Sequence, residues 1–108
     1  MTVAKLAQSL NLMQIVMPEP DREVTCGYVG DLLSWVMGRA PENSAWITIM
    51  SNINVIAVAT LADTACVILA EGVELDEEVK ATASSKGVNV LGSDKSAYEL
   101  AVLLGELI

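Results

Sequence analysis

Short apolar runs alternate with helix-length segments along the whole chain, and this order constrains the fold more than any other feature. Leu12 to Val16, Val24 to Val29, Ala45 to Met50, Cys66 to Leu69 and Val88 to Leu91 each read as strands. Between them lie helix patterns with their own start and stop signals. Thr2 caps a short helix with apolar Val3, Leu6, Ala7 and Leu10, and the Pro18-Glu19-Pro20-Asp21 turn follows the first strand. Asp31 is predicted as the N-cap of a helix burying Leu32, Leu33 and Val36, with Gly38 at its C′ position and Pro41 preventing continuation. Ser51 and Asn52 cap the next helix, and Glu71-Gly72 turns the chain out of the fourth strand. Asp76, Glu77 and Glu78 load the first turn of a helix that ends at Lys86-Gly87, as the helix dipole favours. Ser96 and Glu99 form a capping box for the last helix, expected to bury Ala97, Leu100, Ala101, Leu104 and Ile108. This alternation implies an α/β protein: a three-layer α/β/α sandwich around a mostly parallel sheet of about five strands, whose early strands can form an antiparallel edge. The 108 residues make one domain over 1–108, with no repeat, linker or low-complexity tract.

Composition narrows function. Hydrophobic residues are 53% of the chain and charged residues 19%, so the signature of disorder is absent. Six Lys and Arg against fourteen Asp and Glu give a net charge of −8, which repels nucleic acid and anionic lipid, so neither is an expected partner. The chain has no histidine, which removes imidazole metal ligands and the Ser-His and Cys-His couples of hydrolytic catalysis. No catalytic residue, metal site or cofactor is expected, and the chain is read as a non-enzyme. Cys26 and Cys66 form no CxxC pair and are expected as reduced thiols in a cytoplasmic protein. The N-terminal residues lack an export signal, and the apolar stretch from Val55 to Ala70 is broken by Thr60, Asp63 and Thr64 and falls short of the roughly 20 residues a membrane span needs.

The segment Asp21-Arg22-Glu23-Val24-Thr25-Cys26-Gly27-Tyr28-Val29-Gly30-Asp31-Leu32-Leu33-Ser34 resembles the opening of the DRTGG domain family, and Val67 to Gly72 through Asp76-Glu77-Glu78 resembles its second half. The resemblance covers nearly the whole chain. It implies a fold like that of the N-terminal domain of HPr kinase, and a regulatory role; relatives sit beside CBS domains in regulatory pyrophosphatases and within some phosphotransacetylases. The Gly27-Tyr28-Val29-Gly30-Asp31 run is most similar to the stand-alone form associated with iron-hydrogenase systems, which implies a protein partner in a redox or hydrogenase system. Two motifs depart from the family: Ala70-Glu71-Gly72 stands where Thr-Gly-Gly is typical, and Met50-Ser51-Asn52 where Gly-Asp-Arg is frequent. Glu71 adds a charge that opposes an anion at that helix entrance, and no GxxxxGK[ST] phosphate loop occurs.

Right-handed crossovers gather the loops after the strands, Gly30-Asp31, Ser51-Asn52, Ala70-Glu71-Gly72 and Gly92-Ser93-Asp94, at one end of the sheet, where any small-molecule site is expected. The candidate ligand residues are therefore Gly30, Asp31, Ser51, Asn52, Ser93 and Ser96, although turn geometry and helix capping account for the same residues. Cys26 reads either as a redox-sensitive thiol or as an inert half-buried one. Glu74, Asp76, Glu77 and Glu78 lack the alternation of a calcium loop and read as a solvated helix start. Trp35 and Trp46, without interleaved basic residues, read as core or subunit-contact residues rather than base-stacking platforms. The expected function is a non-catalytic regulatory or protein-interaction module, with the sensing of a small nucleotide or phosphometabolite as the alternative.

The segment from Ile53 to Ala62 is apolar all round. Ile53, Ile56, Ala57, Thr60 and Leu61 are predicted to face the sheet, leaving Val55, Val58, Ala59 and Ala62 for a second cover. With a mean hydropathy of +0.49, the expected cover is a second subunit, and a homodimer with Val55 and Val58 near the contact is predicted.

Overall fold

The computed structural model describes residues 1–108. Helix α1 (Val3–Ser9) is followed by β1 (Met13–Val16), β2 (Cys26–Val29), α2 (Leu33–Arg39), β3 (Ser44–Thr48), α3 (Ile53–Ala62), β4 (Cys66–Leu69), α4 (Glu77–Lys86), β5 (Val90–Gly92) and α5 (Ala97–Leu107). The five strands form one sheet in the order β1-β5-β4-β3-β2. β2 to β5 run parallel and β1 lies antiparallel to β5, so the antiparallel edge is β1 alone.

Every residue of β3, β4 and β5 is buried, because helices cover both faces of the sheet. The period of two deals these residues to separate cores. Ala45, Ile47, Cys66, Ile68 and Leu91 pack under α1 and α5, with Val3, Leu6, Leu100 and Leu104. Trp46, Val67, Leu69 and Val90 pack on the other face under α2, α3 and α4, with Val36, Val55, Ile56 and Val79. The sequence thus folds as the expected three-layer α/β/α sandwich with a mixed, mostly parallel five-stranded sheet.

Several caps take their expected form. The Thr2 hydroxyl accepts from the Lys5 N–H at 3.2 Å, the Asn52 Oδ1 from the Asn54 N–H at 2.9 Å, and Ser96 and Glu99 close the capping box of α5. Gly87 ends α4 in the left-handed conformation. The start of α2 differs from expectation. Leu32, more than half exposed, is its N-cap residue, while Asp31 turns back to the sheet and accepts from the Thr48 hydroxyl at 2.7 Å and the Ile49 N–H at 3.0 Å. Two donors on the neighbouring strand outcompete the first turn of a seven-residue helix for this carboxylate. The end of α2 differs as well: the helix runs through Gly38 to Arg39, and the extended backbone at Ala40, before Pro41, stops it.

The face of α3 is the main correction. Val55, Ile56, Val58 and Ala59 are buried in the subunit, with Ala62 partly covered, whereas Ile53, Ala57, Thr60 and Leu61 lie exposed. Val55, Val58 and Ala59 are core residues and leave no surface for a subunit contact. A helix apolar all round gives the periodicity no phase to detect. Here its position between α2 and α4 selects the side carrying Val55, Val58 and Ala59. The last helix buries Leu100 and Leu104 as expected, but Ile108 remains exposed.

Candidate functional site

Because β2 to β5 are parallel, the loops that leave them emerge at one end of the sheet. What the loops do next distinguishes one place along that end. After β2, β3 and β4 the chain crosses to the same face, where α2, α3 and α4 lie side by side; after β5 it crosses to the opposite face and forms α5. The β4 and β5 loops therefore part in opposite directions and leave a crevice between them, the switch point at which open α/β sheets bind ligands.

A cleft of about 630 Å³ occupies that crevice, within the range of small-molecule sites. One wall is Gly72 to Glu77, leading from β4 into α4, and another is Gly92 to Lys95, leaving β5. Asn11, Met13 and Ile15 close the third side, because antiparallel β1 begins at the end where β5 finishes. The walls are tied together by backbone hydrogen bonds. The Glu71 N–H donates to the Lys95 carbonyl and the Gly72 N–H to the Ser93 carbonyl, both at 2.8 Å. Glu71 and Gly72 adopt φ of 61° and 71°, left-handed values that favour glycine at position 72, and a Cβ there would sit 2.9 Å from the Asp94 carboxylate, which would have to swing aside. Gly92 makes room in the same way for the Ile15 side chain, at 2.9 Å.

Charge in the cleft is mixed and acidic on balance. Glu74, Asp76, Glu77 and Asp94 line it with Lys80 and Lys95, and Lys80 is paired with Glu77 at 3.0 Å. The side chain of Asp76, at the N-cap of α4, makes no capping bond to that helix. The carboxylates do not converge as metal ligands: no group of three or more acidic or thiol side chains is placed to hold an ion.

Of the six residues singled out from the sequence, the structure places one, Ser93, in this cleft. Gly30 and Asp31 lie at the same end but at the β2 and β3 flank, and their polar groups are engaged within the fold. The Gly30 carbonyl accepts from the Trp46 Nε1–H at 2.8 Å and Asp31 is held by Thr48. Ser51 and Asn52 open α3 and Ser96 opens α5, the latter two as caps. β4 separates β3 from β5, so the six do not form one constellation. The loops holding Gly72 and Asp94 are expected from the sequence at this end of the sheet, and Glu74 as part of a solvated helix start, whereas Asn11, Met13 and Ile15 at the start of β1 carry no signal in the sequence, because only the sheet order places β1 beside β5. Trp46 is fully buried and Trp35 half exposed, the latter stacked under the Arg39 guanidinium at 3.8 Å. Burial pushes the Cys66 thiol up to about 12, opposed in lesser part by the charge of Arg22. Cys26 is half-buried on the edge strand.

The DRTGG domain family matches residues 33–107. The chain belongs to the DRTGG domain family. No curated protein matches it. Among solved structures it is similar to the CBS and DRTGG domains of the regulatory region of Clostridium perfringens pyrophosphatase, complexed there with the activator diadenosine tetraphosphate. The TM-score is 0.74 at 12% identity, over 95% of this chain and 45% of that one, so the likeness is one of fold and this DRTGG domain spans about half the length of its neighbour. No helix of this chain is long and apolar enough to cross a membrane.

Proposed function

We propose that this DRTGG domain is a non-catalytic regulatory module that senses a small polar ligand in the switch-point cleft and relays its occupancy to a protein partner. The observation that carries the reading is the place of the cleft, between the loops that lead to opposite helical layers. A ligand there touches the start of α4 and the loop that leads into α5 and can bias how the two layers sit, which is what a sensor requires. The chain's lack of histidine and the engagement of the Ser93 hydroxyl, which accepts from the Lys95 N–H at 3.1 Å, support a binding role over a catalytic one. Free thiols at Cys26 and Cys66 suit a reducing cytoplasm. The redox or hydrogenase partner implied by the resemblance belongs to the same proposal.

The regulatory region of the clostridial pyrophosphatase takes a polyanionic dinucleotide. In this chain four carboxylates face two lysines around the cleft, one lysine already paired, which favours a neutral or cationic ligand over a bare polyphosphate. Thermal unfolding of the intact chain with adenosine, spermidine and diadenosine tetraphosphate as neutral, cationic and polyanionic probes tests this. Adenosine or spermidine should raise the melting temperature, and Asp94→Ala should abolish the rise. Stabilisation by the dinucleotide alone, or by none of the three, would overturn the proposed ligand class.

A further inference from the structure

The two edges of the sheet are built differently. β1 is broken by a register shift between Gln14 and Val16 and is followed by Pro18 and Pro20, features that blunt an edge against pairing. β2 pairs only with β3, and the run from Thr25 to Val29 holds no charge, proline or bulge. Beside β2 lies an apolar groove of about 380 Å³, walled by the strand and by Ala101, Leu104 and Gly105 of α5. No charged side chain lines it. Gly27 lets the strand and helix approach, since a Cβ there would lie 2.6 Å from the Leu104 Cδ2. Gly105 has no such internal reason. A Cβ at this position in the last turn of α5 meets nothing. Val29, Tyr98, Val102 and Ile108 remain exposed around the groove.

We infer that this edge is the contact surface for a second copy of the chain, joined by antiparallel β2–β2 pairing about a two-fold axis. A two-fold axis relating two edge strands makes them antiparallel, so one self-complementary patch satisfies the open edges of both copies. Charge points to the same surface: two chains of net −8 repel each other over most of their area, and Thr25 to Val29 is uncharged. Pairing would extend the five strands into a continuous sheet of two copies and bring α5 against its own copy at Gly105.

Sedimentation velocity of the full chain at tens of micromolar tests the inference, and it is independent of the ligand cleft. The unmodified protein should run as a dimer. Val29→Lys, at an exposed edge position, should raise the dissociation constant more than about tenfold. Leu61→Lys, on the exposed side of α3, should leave the dimer intact. Circular dichroism confirms the fold of each variant, and Val102→Lys replaces Val29→Lys if that strand fails to fold. A monomeric unmodified protein, a dimer that survives the edge substitution, or a dimer broken by Leu61→Lys would each overturn the assignment. So would a monomer that instead adds a foreign extended peptide along β2.

Discussion

At the residue scale, a few polar side chains hold turns that apolar packing leaves open. Arg22 donates through Nη2 to the Asp63 carboxylate and carbonyl, both at 2.7 Å, and to the Asn43 Oδ1 at 3.1 Å. Asn43 and Asp63 are left-handed, at φ of 65° and 56°, so one guanidinium fixes two strained turns that open β3 and β4. Arg22→Ala should destabilise the protein by about 1–2 kcal/mol in urea unfolding, a modest cost because the pair is partly exposed. Cys66 makes a pH-dependent contribution. Its folded pKa is raised above the ordinary thiol value of 9.0, so the neutral form is favoured by folding. The stabilisation is complete below pH 9 and is lost as pH rises toward about 12. In that window one proton is held by the folded state and not by the unfolded one, a slope of about −1.4 kcal/mol per pH unit. Cys66→Ala should remove that increment from the alkaline stability profile, measured against the unmodified chain. Neither role was legible in the sequence. Arg22 lies far along the chain from its partners, and a lone cysteine in an apolar run carries no mark of how completely it is buried.

At the element scale, strand positions and caps were legible because each is signalled locally. Cys66 to Leu69 is apolar at every position and β4 has the predicted ends; the Ser96 and Glu99 pair announces α5 and closes its box. Two features depended on competition between elements and were not legible. Asp31 has the chemistry of an N-cap, yet Thr48 on the adjacent strand takes its carboxylate. The α3 segment is apolar on every side, so neighbouring helices rather than the sequence pattern choose its buried face. Glycine positions distinguish the observed α2 from the expected one. Gly38 lies inside the helix without positive φ and with open space at its Cβ, so Gly38→Ala should stabilise the protein by about 0.5–1 kcal/mol. A glycine at a left-handed C′ position would give the opposite sign. Gly27→Ala should cost about 1–3 kcal/mol, because its Cβ would be driven into the Leu104 Cδ2 and force that buried side chain to shift. Chemical denaturation of the two variants reads both signs.

At the scale of the whole molecule, the alternation of strands and helices determined the layers and gathered the loops at one end. It did not determine strand order. With β1 inserted beside β5 and α5 alone crossing to the second face from that end, the crevice falls between β4 and β5. The loop after β2 is tied to the end of β3 through Asp31, and the loop after β3 caps α3 through Asn52. The proposed sensing function therefore depends on the cleft between Gly72 and Asp94. The most direct test is a map of amide chemical shifts of the isotope-labelled chain titrated with adenosine and with spermidine. Binding in the cleft predicts perturbations concentrated at Gly72, Glu74, Lys80, Ser93 and Asp94, spreading to Met13 at the start of β1. Perturbations centred on Gly30, Asp31, Ser51 and Asn52, or none with either probe, would contradict it.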